Sequence, residues 1–175
     1  MSDIIAPAKS FLNINNYIDF FIKGKVLTGA KNTMILIVFP VLANVFLGSM
    51  AAYAIVRFKY KVNQIMLNLF VIAALIPGVS TQIATFQVVK FLGLYNTIWA
   101  GLVLFTATNV IQLYILIQFV EKIPYELDES ARCEGASYIR IFISIILPQM
   151  TTALATVVII RGIQIYNNMI VPVLY

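Results

Sequence analysis

Residues 33–56 read TMILIVFPVLANVFLGSMAAYAIV, a stretch without one charged side chain. A helix that crosses a bilayer needs about 20 predominantly apolar residues, and this run supplies them. Arg57, Lys59 and Lys61 then close it within five positions. Three more runs follow outward from it. Residues 62–89 are uncharged up to Lys90, Phe91–Val120 carries no charge, and residues 141–160 are uncharged before Arg161 interrupts the last run. The pattern predicts an all-α, polytopic integral membrane protein with about four transmembrane helices, near 33–56, 62–78, 97–120 and 141–165.

Composition leads to the same class. Hydrophobic residues make up 61% of the 175, charged residues 11%, and there is no histidine and a single cysteine, Cys133. Soluble domains average about 25% charged residues, so too few polar side chains remain here to cover an ordinary soluble fold. A secreted disulfide scaffold is excluded by one cysteine, and no cluster suited to a metal appears. The net charge of +5 comes from Lys and Arg between apolar runs, which fits membrane orientation and not nucleic acid.

Loop charges set the expected topology. Arg57, Lys59 and Lys61 make the first loop basic, the second carries only Lys90, and the third holds Lys122, Arg132 and Arg140. Loops one and three are therefore expected in the cytoplasm. This makes residues 1–31 an extracytoplasmic segment despite Lys9, Lys23, Lys25 and Lys31, and their opening MSDIIAPAKSF lacks the pattern of a signal peptide. Pro77-Gly78 is expected to bend or stop the second helix, leaving a short outer helix up to Lys90, and Pro148 to kink the fourth. Gly24-Lys25-Val26-Leu27-Thr28-Gly29-Ala30-Lys31 has phosphate-loop glycine spacing but lacks the Lys-Ser/Thr pair, and reads as a lead-in to the first span.

The polar stretch 121–140 holds five of the seven acidic residues. Within Ile123–Pro148, IPYELDESARCEGASYIRIFISIILP, local physics predicts a short helix, a glycine hinge and a second helix entering the membrane. Pro124 suits a first helical position, and Glu126, Asp128 and Glu129 sit where the helix dipole favours negative charge. Leu127 and Ala131 share a face, and Gly135 ends the helix cheaply in the left-handed conformation. By themselves these features also describe a solvated loop between two spans.

The spacing of Glu129-Ser130-Ala131, Gly135, Ile145 and Leu147-Pro148 resembles the E-A-A-x3-G-x9-I-x-L-P signature of binding-protein-dependent ABC importer permeases. Ser130 in place of alanine is its one departure. The preceding IPYELDESA, with Arg57-Phe58, Ile76-Pro77 and Leu92-Gly93-Leu94-Tyr95-Asn96-Thr97, is similar to the carbohydrate-uptake, MalG-like (maltose-permease) type. That family normally has six helices, and the first and last are not seen here. Tyr166-Asn167-Asn168 stands where the family usually has Trp-Asn-acid.

The resemblance implies a plasma (inner) membrane permease subunit, importing sugars or oligosaccharides by alternating access and not itself an enzyme. It implies an ABC ATPase dimer, a second homologous permease subunit and an extracytoplasmic solute-binding protein as partners. ATP would be used by the ATPase, with no cofactor bound by this chain. Glu126, Asp128, Glu129, Ser130, Ala131, Gly135, Ile145, Leu147 and Pro148 would form the element that couples to the ATPase. Small Ala131 and Gly135 would allow close approach of that partner, and the acidic residues would pair with its basic groups.

Polar residues inside the spans are the solute-pathway candidates. Arg161 is the sharpest, because a charge at membrane depth generally faces a bundle interior or water. Arg161, Gln164 and Asn168 share one helical face, Asn167 lies beside it, and Tyr166 offers a stacking surface. Thr108, Asn109 and Gln112 form a second patch. Hydrogen bonding between helices is the competing role for both sets. Asn44, Gly48 and Ala52 make a small/polar stripe that reads as helix packing. A permease for amino acids or peptides, a fragment without transport activity, and a small membrane enzyme or channel are the rival readings.

Overall fold

The computed structural model describes Phe21 and residues 23–58, 60–107 and 109–175, and every described element is a helix. Lys59, Thr108 and most of the expected extracytoplasmic segment lie outside the described residues. The chain divides into two compact units, 1–35 and 36–175. Of the first, the described part is Phe21 and Lys23, both helical, a turn at Gly24-Lys25 and the first ten residues of a long helix. Residues 26–31, with Gly29, belong to that helix, so the stretch 24–31 forms no phosphate-cradling loop.

That helix, α1, runs from Val26 to Arg57. Its buried positions, Pro40, Val41, Asn44, Val45, Gly48, Ser49, Ala52 and Tyr53, repeat at helical spacing and lie on one face. The opposite face leaves Leu42 62% and Phe39 57% exposed, as expected where lipid replaces water. The stripe of Asn44, Gly48 and Ala52 is buried throughout.

The second run forms α2 (Lys61–Ala74) and α3 (Gly78–Phe91). Proline has no N–H to continue a helix and disfavours helical geometry in the residue before it. The chain accordingly leaves α2 three residues ahead of Pro77. Beyond α3, the loop at Tyr95 and the chain end meet: Phe86 contacts the rings of Tyr95 and Tyr175 at centroid separations of 5.4 and 5.9 Å. The Asn96 N–H donates to the Tyr175 carbonyl at 2.6 Å.

The third run differs from the continuous helix expected over 97–120. Ile98–Thr106 (α4) and Val110–Glu121 (α5) are separate and meet at a bend of 44°. Asn109 starts the new helix by accepting from the Ile111 N–H at 2.9 Å. The Thr106 hydroxyl donates back to the Leu102 carbonyl at 2.7 Å, a bond that bends helices.

A short helix, α6 (Glu126–Cys133), precedes α7 (Tyr138–Gln149), α8 (Thr151–Tyr166) and α9 (Ile170–Leu174). Inside α7, residues Phe142–Ile146 widen into a π turn just ahead of Pro148. That is where a missing N–H and a ring clash displace the normal hydrogen-bond ladder. Among the described residues, Val26–Arg57 and Thr151–Leu174 are each long and apolar enough to cross a membrane, and α4 with α5 makes a third if the bent pair is one span. The core joins α1, α5, α7 and α8 through Val45, Tyr53, Leu116, Val120, Ile141, Ile146, Met150 and Val157.

Candidate coupling and solute sites

The α6 helix is built as the sequence predicts at its far end and differently at its start. Gly135 has φ +82°. Its N–H donates to the Arg132 carbonyl at 2.9 Å and the Ala136 N–H to the Ala131 carbonyl at 3.0 Å, the paired bonds of a Schellman cap. A Cβ at Gly135 would meet nothing within 4 Å, so its requirement is conformational and not steric. At the other end the first helical residue is Glu126, two after Pro124. The helix is opened by the Tyr125 carbonyl, which accepts from the N–H groups of Asp128 and Glu129.

Two residues expected on the outward face are turned inward. Asp128 and Ala131 are the buried residues of α6, 3% and 8% exposed. Asp128 forms an ion pair with Arg57 at the end of α1, so it is not available to a partner's basic groups. Ala131 joins the chain's own core, where a larger side chain would test packing and not docking. Glu126, Glu129, Ser130 and Glu134 stay exposed; Ile145 and Leu147 are half-buried in α7, and Pro148 is exposed.

Arg57, which the sequence presents as a topology charge and as part of the family-like Arg57-Phe58 pair, is the anchor of this end. Its Nη2 donates to the Ile123 carbonyl at 3.0 Å, and its guanidinium lies 5.5 Å from the centre of the Tyr125 ring. Burial pushes the Asp128 carboxyl above the usual carboxylate range, while the Arg57 charge and hydrogen bond pull it back. A ladder of rings continues the joint into α7. Tyr53 contacts Phe142 at 5.6 Å, and Phe58 contacts Tyr138 at 4.9 Å. The last turn of α1, α6 and the start of α7 are thus fastened together by one ion pair and by tilted and edge-to-face ring contacts.

The second cluster lies at the break between α4 and α5. A helix end leaves its last carbonyls without partners, and here side chains from two other helices supply them. Asn44 of α1 donates to the carbonyls of Thr106 at 3.0 Å and Ala107 at 2.8 Å. Arg161 of α8 donates through Nη2 to Phe105 and Ala107, both at 2.9 Å, and through Nη1 to Gln164 Oε1 at 3.3 Å. The two polar patches read separately in the sequence come together, since Asn109, Gln112, Arg161 and Gln164 line one small cavity of about 10 Å³. That is room for about one water molecule. Gln112 is 6% exposed, and neither atom of its amide has a partner among the described residues.

The other pathway candidates stand apart from this cavity. Tyr166 is 71% exposed and Asn167 ends α8. The Asn168 side chain is committed locally, accepting from the Val171 N–H at 3.0 Å. Thr108 lies outside the described residues.

The family described as the binding-protein-dependent transport system inner membrane component matches residues 44–174. The chain belongs to this family. The matched span takes in both clusters and the α6 loop between them. The galactooligosaccharides transport system permease protein of Bacillus subtilis is 34% identical over 132 residues, 75% of this chain and 46% of that protein. The trehalose/maltose transport system permease protein of Thermococcus litoralis is 31% identical over 147 residues, 83% of this chain and 52% of that one. The chain spans about half the length of these curated relatives. Its fold is shared with a crystal structure of a bacterial ABC transporter involved in the import of the acidic polysaccharide alginate. The TM-score is 0.72 at 22% identity, covering 79% of this chain and 48% of the other.

As a binding-protein-dependent permease component, the chain is a polytopic, all-helical membrane protein. The 44° bend then gives this family member a discontinuous helix at the site where its polar side chains converge.

Proposed function

We propose that this chain is a permease subunit of an ATP-driven importer that moves sugars or oligosaccharides inward across the bacterial inner membrane. The observation that carries the proposal is the α6 loop. A short helix, ended by a left-handed glycine and clasped to α1, presents Glu126, Glu129, Ser130 and Glu134 outward. Such a helix suits docking in a cleft of a separate ABC ATPase dimer, where exposed carboxylates fix orientation against basic groups. The sugar class is supported by the names of the two relatives above.

The mechanism follows from the joint. When the ATPase pair closes, α6 moves with it, and the Arg57–Asp128 pair with its aromatic ladder carries that motion into α1 and α7. Rigid-body rocking of helices about a fixed site is the expected response. A second homologous permease subunit completes the pathway, and an extracytoplasmic solute-binding protein delivers the solute. ATP is bound by the ATPase subunits, so this chain needs no cofactor for its part.

Asn109, Gln112, Arg161 and Gln164 form the solute contact in this scheme, with Gln112 holding an amide free for a hydroxyl. The test is uptake of labelled neutral oligosaccharides and of labelled amino acids into vesicles carrying the whole transporter. ATP- and binding-protein-dependent uptake of an oligosaccharide is the expected result. Uptake of amino acids alone, or flux that needs no ATP, overturns the proposal.

A further inference from the structure

The polar residues of α2 and α5 are few, and their placement is not random. All four on α2, Lys61, Asn63, Gln64 and Asn68, line a single cleft of about 1180 Å³ between α2, α5 and the end of α1. Three of the four on α5, Tyr114, Gln118 and Glu121, line the same cleft from the other side. The fourth, Gln112, faces the small cavity already described. Gln64 and Asn68 are spaced i, i+4, as are Tyr114 and Gln118, so each pair forms a stripe on one helical face. Neither helix places a polar side chain outside these two cavities.

We infer that this cleft is a second binding station for a neutral oligosaccharide, on the side of the membrane where α6 lies. Asn63 is occupied, donating to the Ala54 and Phe58 carbonyls. Gln64, Asn68, Tyr114 and Gln118 make no hydrogen bond to the described residues, and all four are exposed to the cleft. An amide carries a donor and an acceptor side by side, which is also what a sugar hydroxyl requires. Tyr114 adds a ring for the C–H surface of a pyranose. Of the other two rings in the lining, Tyr60 is stacked on Phe58 and Tyr125 carries the Arg57 guanidinium. The charges cancel, with Lys61 set against Glu121 and Arg57 spent on Asp128. The lining thus selects an uncharged polyol and disfavours an anion.

Size points to an oligosaccharide. Sites for small molecules enclose about 300–1,000 Å³, and this cleft lies just beyond that range. The cavity at Arg161 holds about one water, and its guanidinium is tied to two carbonyls. Solute held in the cleft is therefore separated from that cavity in this conformation, and the station is the last stop before release. The inference rests on the import reading proposed above.

The experiment uses the assembled transporter in inside-out vesicles, in a Cys133→Ser background that removes the chain's single cysteine. Asn68→Cys and Gln118→Cys are placed on opposite walls of the cleft. Leu69→Cys, on α2 but not lining it, is the control. The rate of alkylation by a charged, membrane-impermeant maleimide is measured with and without trehalose, melibiose or raffinose, and with alanine as the contrasting solute. Both cleft cysteines should react faster than the control. At least one sugar should slow them about threefold, as ligand at about twice its Kd does, and alanine should not. Cleft cysteines no faster than the control, sugars without effect, or protection by alanine alone each overturn the inference. ATP-driven exit of lumenal sugar from the same vesicles, which is the import direction in this orientation, without sugar protection sinks the cleft and leaves the import reading standing. ATP-driven exit of an amino acid in place of every sugar sinks the import reading itself.

Discussion

Two arginines hold this molecule at two places, and they do so by different means. Arg57 is answered by a carboxylate, Asp128, with a carbonyl and a ring in support. Arg161 meets carbonyls and one amide, with no carboxylate among its contacts to the described residues. The first joint is an ion pair between α1 and a helix outside the spans; the second is a cap for a helix broken within an apolar run. A buried ion pair is expensive to break from one side, because the remaining charge has nowhere to go. A cap made of dipoles shares its work with Asn44 and yields more gently. The Arg57–Asp128 joint is thus the stiffer of the two, and in the scheme proposed above the α4–α5 break is the one better placed to rearrange around a solute.

Substitutions sharpen that contrast. Arg57→Ala should cost about 3–5 kcal/mol by stranding a buried Asp128, read as a large fall in thermal stability of the purified transporter. Replacing both partners with apolar residues, Arg57→Met with Asp128→Leu, should recover most of it. Arg161→Ala should cost less, about 1–3 kcal/mol, since Asn44 still serves the Ala107 carbonyl. Asn44→Ala and Arg161→Ala should be non-additive, because both side chains bond that one oxygen. Additive losses would show that the two caps act independently.

Smaller effects follow at the hinge and in the pH profile. Gly135→Ala should cost about 1–2 kcal/mol for the left-handed backbone, whereas Gly78→Ala, at a position with ordinary φ and open space, should change melting little. The Asp128 carboxyl is raised in the folded protein, so the folded state takes up its proton at higher pH than the unfolded chain does. Stability from this group therefore rises as pH falls through the folded value. It levels off below the ordinary carboxylate range. Asp128→Asn should flatten that slope, and an unchanged profile would remove Asp128 as its source.

What the sequence made legible were local features. The α1 span, the stop at Pro77-Gly78 and the left-handed Gly135 all depend on residues within a few positions of one another. The break after Thr106 does not. No proline or glycine marks it, and its carbonyls are capped by Asn44 and Arg161, distant in sequence on other helices. Asn109 ahead of an apolar run was the available helix-start signal, and it read instead as one face of a continuous span. Arg57 was hidden for a similar reason: a basic residue after an apolar run satisfies the topology rule, and its partner lies on a different helix. The inward turn of Asp128 and Ala131 follows from that long-range pairing.

In the proposed mechanism, motion of an ATPase reaches the membrane helices through α6 and its hinge. The most direct measurement is the ratio of solute imported to ATP hydrolysed by the complete transporter carrying Gly135→Asp, with assembly checked by co-purification of the subunits. Normal assembly, continued hydrolysis and a collapse of import are expected. Full import at the wild-type ratio would contradict the mechanism.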